Sequence, residues 1–414
     1  MTTRAHRLGT VLAAVFLSSS AARGQTITPV NPDVAPTPGW VVTPSIGVGG
    51  AWDDNVLLVN PGEGPPGDYA SPIRPSLGLD FTGKRTRFSA GYDGSAVLYR
   101  TLDELTSYEQ HLRVGLSHRA TEHLTFFVDE TFTMAPTTDA IPLNGGVPFY
   151  RIGSRTNALG GGFQAALQRR LSIRGAYTLR QVDFDFDEIA SRELQGGHSH
   201  EFDVSVERAL SARLTLGGEY GLDRVTVAAD TTVTADTTAL PLPDERFTIQ
   251  NAGVTLKYLV SPTVTASGAL GIAHLGAGLV RESRTAPAWR AALSHTMRRT
   301  VVTGAYSRSY VPSFGFGGTL QNEEWSGTVT VPFARNRAYA QGGANLFNND
   351  ALEEGQPSLK SLWLTGKVGY RVNRWLRIEG FYNRAQQDTR REGGRVTRNQ
   401  LGFQVISAAP FRLH

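Results

Sequence analysis

The sequence predicts an all-β chain, an antiparallel up-and-down β-barrel that crosses a membrane with its strands, and three observations predict it. From Trp40 to the end, long segments alternate apolar and polar residues, the period-two pattern of strands with two chemically different faces. After the first twenty-odd residues, no run of about 18 to 20 apolar residues is available to span hydrocarbon as a helix. Short, mostly basic turns alternate with long polar connections along the chain, an asymmetry between the two ends of a barrel.

Composition narrows the possibilities further. The 414 residues carry a net charge of +4, with 40% apolar residues and no cysteine. Disulfides, thiolate metal sites and cysteine nucleophiles are therefore excluded, and the recurring Val, Leu, Ile and aromatic residues argue against disorder.

The elements follow in order. Residues 1–24 read as a signal peptide: Arg4, His6 and Arg7 precede the apolar stretch Leu8 to Leu17, and Ala22-Arg23-Gly24 offers small residues to a signal peptidase. Residues 25–39 carry Pro29, Pro32, Pro36 and Pro38, which forbid a helix or a central strand and leave an extended periplasmic lead-in. The barrel is expected over 40–414, with an opening strand near 40–53 and a closing strand near 397–408. Three strands share the pattern L-x-[LI]-x-G-x-Y, beginning at Leu171, Leu214 and Leu376. Each follows a short turn and recurs as the second half of a hairpin.

Eight short turns fall near 83–86, 119–121, 168–170, 209–212, 260–263, 298–300, 334–336 and 371–374. Nine longer connections fall near 54–69, 100–107, 135–153, 185–198, 227–245, 277–286, 312–322, 348–358 and 387–396. Counting the strands between them gives about 18, within a range of 16–20. An even number returns both ends of the barrel to the periplasmic side, and the long set faces outward from the cell.

The two faces separate membrane from water. One is apolar from strand to strand, as in Leu77, Leu79 and Phe81, or Leu401, Phe403 and Val405, with Trp52, Trp289, Trp325, Phe333, Tyr258 and Tyr370 near its edges. The other bears charges that a packed soluble core would not hold unpaired. The residues expected to line a lumen are Arg87, Asp93, Glu109, Arg113, Asp129, Arg174, Arg180, Glu219, Asp223, Lys367, Arg377 and Glu379, with the aromatics Phe127, Trp363 and Phe381. A soluble sandwich or propeller would also alternate, but strands of 11–14 residues exceed the usual length of about 5 or 6 in soluble sheets.

An 18-stranded cylinder, with strands about 4.8 Å apart and tilted near 40°, is roughly 35 Å across and leaves an aqueous channel. Passage of hydrophilic solutes is the expected consequence. The segment 135–153, long and Pro-pinned, is the candidate for an inward-folding constriction. The three lumen aromatics suggest either a stacking path for sugar rings or filling beside a loop. Lumen charge is of mixed sign, so no strong ion selectivity is expected. Arg outnumbers Lys 37 to 4.

A catalytic alternative rests on His198 and His200, expected in a loop with Asp183, Asp185, Asp187 and Glu188, where two imidazoles at i, i+2 could share a metal or serve a barrel-embedded hydrolase. No G-x-S-x-G, H-E-x-x-H or phosphate-binding glycine loop is present. Gly160-Gly161-Gly162 lies within a strand, where it allows a bend rather than cradling phosphate. A non-conducting structural barrel is the other alternative.

The opening strand, Pro44 to Asp53, followed by Asp54-Asn55-Val56, resembles the start of the outer-membrane β-barrel porin 2 family, in which a strand ending in an aromatic and D-[DN]-N-[VIL] begins a barrel of about 400 residues. The likeness extends in layout over 40–414, with Trp52 to Val56 as its local motif. It implies an outer-membrane pore, in some members associated with export of surface polysaccharide. The partners expected are outer-membrane lipid and lipopolysaccharide, the barrel-assembly machinery, and a hydrophilic solute or polysaccharide. No cofactor, metal or catalytic role is expected, and no nucleic acid, because basic residues alternate with acidic ones rather than forming a patch.

Overall fold

A computed structural model describes residues 38–140, 146–185, 194–228, 244–277, 282–352, 357–389 and 394–413. The expected signal peptide and nearly all of the lead-in lie outside these residues. Among them, the first nine strands are β1 (Gly39–Asp53), β2 (Asp68–Thr82), β3 (Thr86–Tyr99), β4 (Ser107–Arg119), β5 (Leu124–Ala135), β6 (Ser154–Gln168), β7 (Leu171–Phe184), β8 (Gly197–Ala209) and β9 (Leu214–Val227). They continue as β10 (Glu245–Ser261), β11 (Val264–Leu275), β12 (Arg284–Met297), β13 (Thr300–Pro312), β14 (Thr319–Phe333), β15 (Ala338–Ala351), β16 (Leu359–Arg371), β17 (Leu376–Thr389), β18 (Arg395–Ala408) and the short β19 (Phe411–Leu413).

Each strand pairs antiparallel with the next, and β1 closes the sheet by pairing with β18 from Ser45↔Ala408 to Asp53↔Gln400. β19 continues β18 down the same edge, Trp40 facing Leu413 and Val42 facing Phe411. Pro410, which has no N–H to give, sits at the break between them. The barrel therefore has eighteen staves. Closure is what lets it span lipid, since no edge is left with unpaired backbone groups.

Exposure follows the alternation, inverted from that of a soluble protein. Leu270, Leu401 and Phe403 are 72%, 61% and 60% exposed, whereas Glu379 is 0% exposed. No second sheet covers the apolar face: all described strands belong to one sheet. The sandwich and propeller readings fail on this point. Trp40, Phe81, Phe333 and Tyr370 lie near the short-turn ends of their strands, and Trp52, Tyr69 and Tyr108 near the opposite ends, the two aromatic belts of a membrane barrel.

The glycine triplet lies within β6, as expected, and β6 pairs without a break with both neighbours through Gly160, Gly161 and Gly162. Gly162 faces Phe127 in register, and a Cβ at that position would come 2.7 Å from the end of the Phe127 ring. Phe381 lies over Gly402 in the same way, and Tyr339 over Gly369. At these three inward positions glycine lets a ring lie along the wall.

Candidate functional site

The register places all fifteen sequence-derived lining residues on the inward face. Arg87, Asp93, Glu109, Arg113, Phe127 and Asp129 occupy β3–β5; Arg174, Arg180, Glu219 and Asp223 occupy β7 and β9; Trp363, Lys367, Arg377, Glu379 and Phe381 occupy β16 and β17. Their charges are mixed in total but unevenly spread. On β7–β9 the inward carboxylates are Glu201, Asp203, Glu207, Glu219 and Asp223, against Arg174 and Arg180. Half the circumference away, β16 and β17 present Lys367, Arg371 and Arg377 against Glu379, and Arg74 and Asp80 add to that wall from β2.

Glu379 is the hub of that basic wall. It accepts hydrogen bonds from the Tyr339 hydroxyl and from Gln404 Nε2 at 2.7 Å, and lies 2.8 Å from Arg377 Nε and 3.8 Å from Lys367 Nζ. Arg74 donates to Gln404 Oε1 at 2.7 Å and stacks over the Phe381 ring at 5.2 Å. Arg174 stacks likewise over Phe127 at 4.7 Å. Trp363 packs against Phe149 and Phe347 with ring centroids 5.2 and 5.3 Å apart. Phe381 and Phe127 thus each give one ring face to a guanidinium, and Trp363 meets its two aromatic neighbours edge to face.

The segment between β5 and β6 folds into the barrel. Its ends are joined by Thr138 N donating to Tyr150 O and Tyr150 N donating to Thr138 Oγ1, at 3.0 and 2.7 Å. It then reaches the wall five to seven strands away. Phe149 N donates to Gln387 Oε1 at 2.8 Å, Gln387 Nε2 returns a bond to Val147 O at 2.9 Å, and Trp363 Nε1 donates to Asp139 O at 3.0 Å. Phe149, 2% exposed, fills the space between Leu58 and Ala385. Arg151 ties the other side, donating to Val56 O and Leu105 O.

Arg398 completes the latch. Its guanidinium donates to both oxygens of Asp139 at 3.1 Å and to Asp53 Oδ2 at 2.6 Å. It is 7% exposed and both carboxylates are buried, so the site is a desolvated triad whose geometry is worth most when complete. Asp53 opens a set of contacts that fastens the first strand to the last: Asp54 accepts from Asn399 N and Nδ2, both at 2.6 Å, and Asn55 Nδ2 donates to Thr397 O at 3.0 Å. The Trp52 to Val56 motif is therefore a seam clasp. Arg398 went unnoticed in the sequence because its partners lie 259 and 345 residues away.

A second connection, 313–318, also turns inward. Gln195 and Gly315 exchange backbone hydrogen bonds at 2.6 and 2.9 Å, and Phe314 packs on Val182, Val225, Val227, Phe247 and Ile249. The outer third of the lumen beside β7–β11 is thus apolar and filled, where the alternation led us to expect a hydrated wall.

His198 and His200 lie on β8, not in a loop, and point outward with Tyr177, whose hydroxyl is 2.8 Å from His200 Nδ1. Ser199 between them faces inward and is buried. Asp187 and Glu188 lie outside the described residues; among those described, no group of three or more metal-ligating side chains forms. One outward carboxylate stands among apolar neighbours: Glu130, paired with Val114 and Leu159 and flanked by Val128 and Phe132.

No protein-family model and no curated relative matches the chain. Solved structures with a similar barrel include Pseudomonas aeruginosa OpdO (12% identity, 91% of this chain and 98% of that one, TM-score 0.44) and Acinetobacter baumannii OccAB3 (10%, 90% and 99%, 0.45). The ferric citrate transporter FecA in its unliganded form is similar at 12% identity over 87% of this chain and 61% of that one, with a TM-score of 0.44. At these values the likeness concerns barrel architecture, and the assignment rests on the chain's own features. An even number of staves, short turns at one end and an apolar outer band define a bacterial outer-membrane β-barrel, and the cell outer membrane is its location.

Proposed function

We propose that the protein is a channel for small hydrophilic solutes, narrowed at its outer end by the inward loop. The observation that carries this reading is the inward connection, residues 136–140 and 146–153, latched across a charge-lined lumen by Arg398, Gln387 and Trp363. A barrel of this strand number encloses an aqueous path unless something fills it, and a polar, ionised wall suits water and hydrophilic solutes. Transport is the role the charge-lined lumen supports; the His198 and His200 pair lies outside that lumen, on the outer face of β8.

Export of a surface polysaccharide is the specialised version implied by the resemblance of the opening strand to the porin 2 family. The lumen lends it little specific support, because Phe127 and Phe381 each already give one ring face to an arginine. Planar-bilayer recording of the purified protein tests the proposal. Discrete conductance steps are expected, with larger steps when Arg398→Ala frees the loop. A wild-type barrel that never conducts, in several lipids and at both polarities, contradicts it.

A further inference from the structure

On the outward face of β8–β10, directly above the aromatic shelf of Tyr177, Phe202 and Tyr220 (36%, 45% and 46% exposed), four cationic or protonatable side chains converge. His200 stands opposite Arg224, and His198 opposite Thr226, which in turn faces Arg246. Facing side chains in a sheet have Cβ atoms about 4.5–5.5 Å apart, so the group spans about 10 Å across three strands. The His198 and His200 rings meet edge to face at 5.5 Å, and Tyr177 occupies His200 Nδ1, which turns the Nε2 edge outward.

Two guanidinium groups of this patch stand without a counter-charge. Three outward arginines near the long-loop end reach carboxylates, Arg155 to Asp185 at 3.1 Å, Arg308 to Glu323 at 3.5 Å and Arg395 to Asp388 at 3.4 Å, and Arg384, lower on β17, donates to Gln386 Oε1 at 2.9 Å. Arg224 and Arg246 are exposed and form no ion pair among the described residues. Asp183 at the edge of the patch is held by Gln181 at 2.9 Å, and Asp244 precedes Arg246 in the chain. On β9 the outward apolar run Leu214, Leu216, Tyr220 and Leu222 ends at Arg224, so unpaired guanidinium forks stand at the upper rim of the lipid-facing band, where they meet the anionic groups of the outer leaflet, and planar forks suit phosphate oxygens.

We propose that His198, His200, Arg224 and Arg246 form a binding site for the phosphate groups of a phosphorylated glycolipid of the outer leaflet. The inference depends on the barrel's embedding in the membrane and is independent of whether the lumen conducts. The test uses the full chain in detergent micelles, titrated with bisphosphorylated lipid A, with the same lipid after dephosphorylation, and with inorganic phosphate. The wild type is expected to bind the bisphosphorylated lipid about tenfold more tightly than the dephosphorylated form, a difference of about 1.4 kcal/mol. The double variant Arg224→Gln, Arg246→Gln should lose that preference, while Lys360→Gln, Arg384→Gln on a distant part of the wall should keep it.

Equal binding of the two lipids by the wild type overturns the proposal. So does an unchanged preference in the Arg224, Arg246 variant, or inorganic phosphate displacing the lipid as readily as lipid A itself. Heat-modifiable gel mobility shows whether each variant is folded, and the comparison of the two lipids on the wild type decides the question even if a variant is not.

Discussion

Arg398 joins two carboxylates that the chain brings from opposite directions, one at the end of the first strand and one in the inward loop. Removing it leaves two buried charges facing each other, a change that typically costs about 3–5 kcal/mol. Arg398→Met should therefore lower the unfolding free energy in denaturant titrations by about that amount, and adding Asp53→Asn with Asp139→Asn should recover much of it. Glu130 presents the reverse case. At six residues above the start of β5, it stands about 15 Å above the periplasmic end of its strand, among lipid-facing Val114, Val128, Phe132 and Leu159. Glu130→Leu is expected to stabilise the folded barrel by about 1–2 kcal/mol in vesicle refolding, since a carboxylate on the lipid face is destabilising. An unchanged or lowered stability would mean that the carboxylate has a partner in the membrane.

At the scale of the element, strands were legible and their tops were not. The L-x-[LI]-x-G-x-Y strands at Leu171, Leu214 and Leu376 begin β7, β9 and β17, because a strand with lipid on one face and water on the other writes its period into every second residue. The signal fades where the wall meets its loops. Val182, Val225, Val227, Phe247 and Ile249 face inward yet are apolar, since there the lumen face meets Phe314 and not water. Arg398 lies on the expected closing strand, and pairing that strand with the opening one would have brought it near Asp53; only the fold could add Asp139. His198 and His200 stand on β8 and not in the loop before it, because the period-two pattern does not mark where β8 begins. For β6 the clasp of Phe127 over Gly162 makes a prediction: Gly162→Val should push the ring off the wall, with reduced conductance and a stability loss of about 1–3 kcal/mol from overpacking.

For the whole molecule, the uneven distribution of charge around the lumen matters more than its sum. Carboxylates gather on β7–β9, and Lys367, Arg371, Arg377 and Arg74 on the far wall. Replacing Lys367 and Arg377 by Gln should shift the reversal potential in a KCl gradient toward cation selectivity, by about twofold in permeability ratio, because charged side chains set the barrier for each ion sign. No shift would mean that permeating ions do not pass this wall.

All of this requires lipid outside and water within. The chain has no cysteine, so single cysteines at Asp203, Val204, Ser205 and Val206 on β8 can each carry a spin label in the refolded protein. Collisions with lipid-dissolved oxygen should dominate at 204 and 206, and collisions with a water-soluble nickel chelate at 203 and 205. The same accessibility at all four sites, or the opposite phase, would contradict the account.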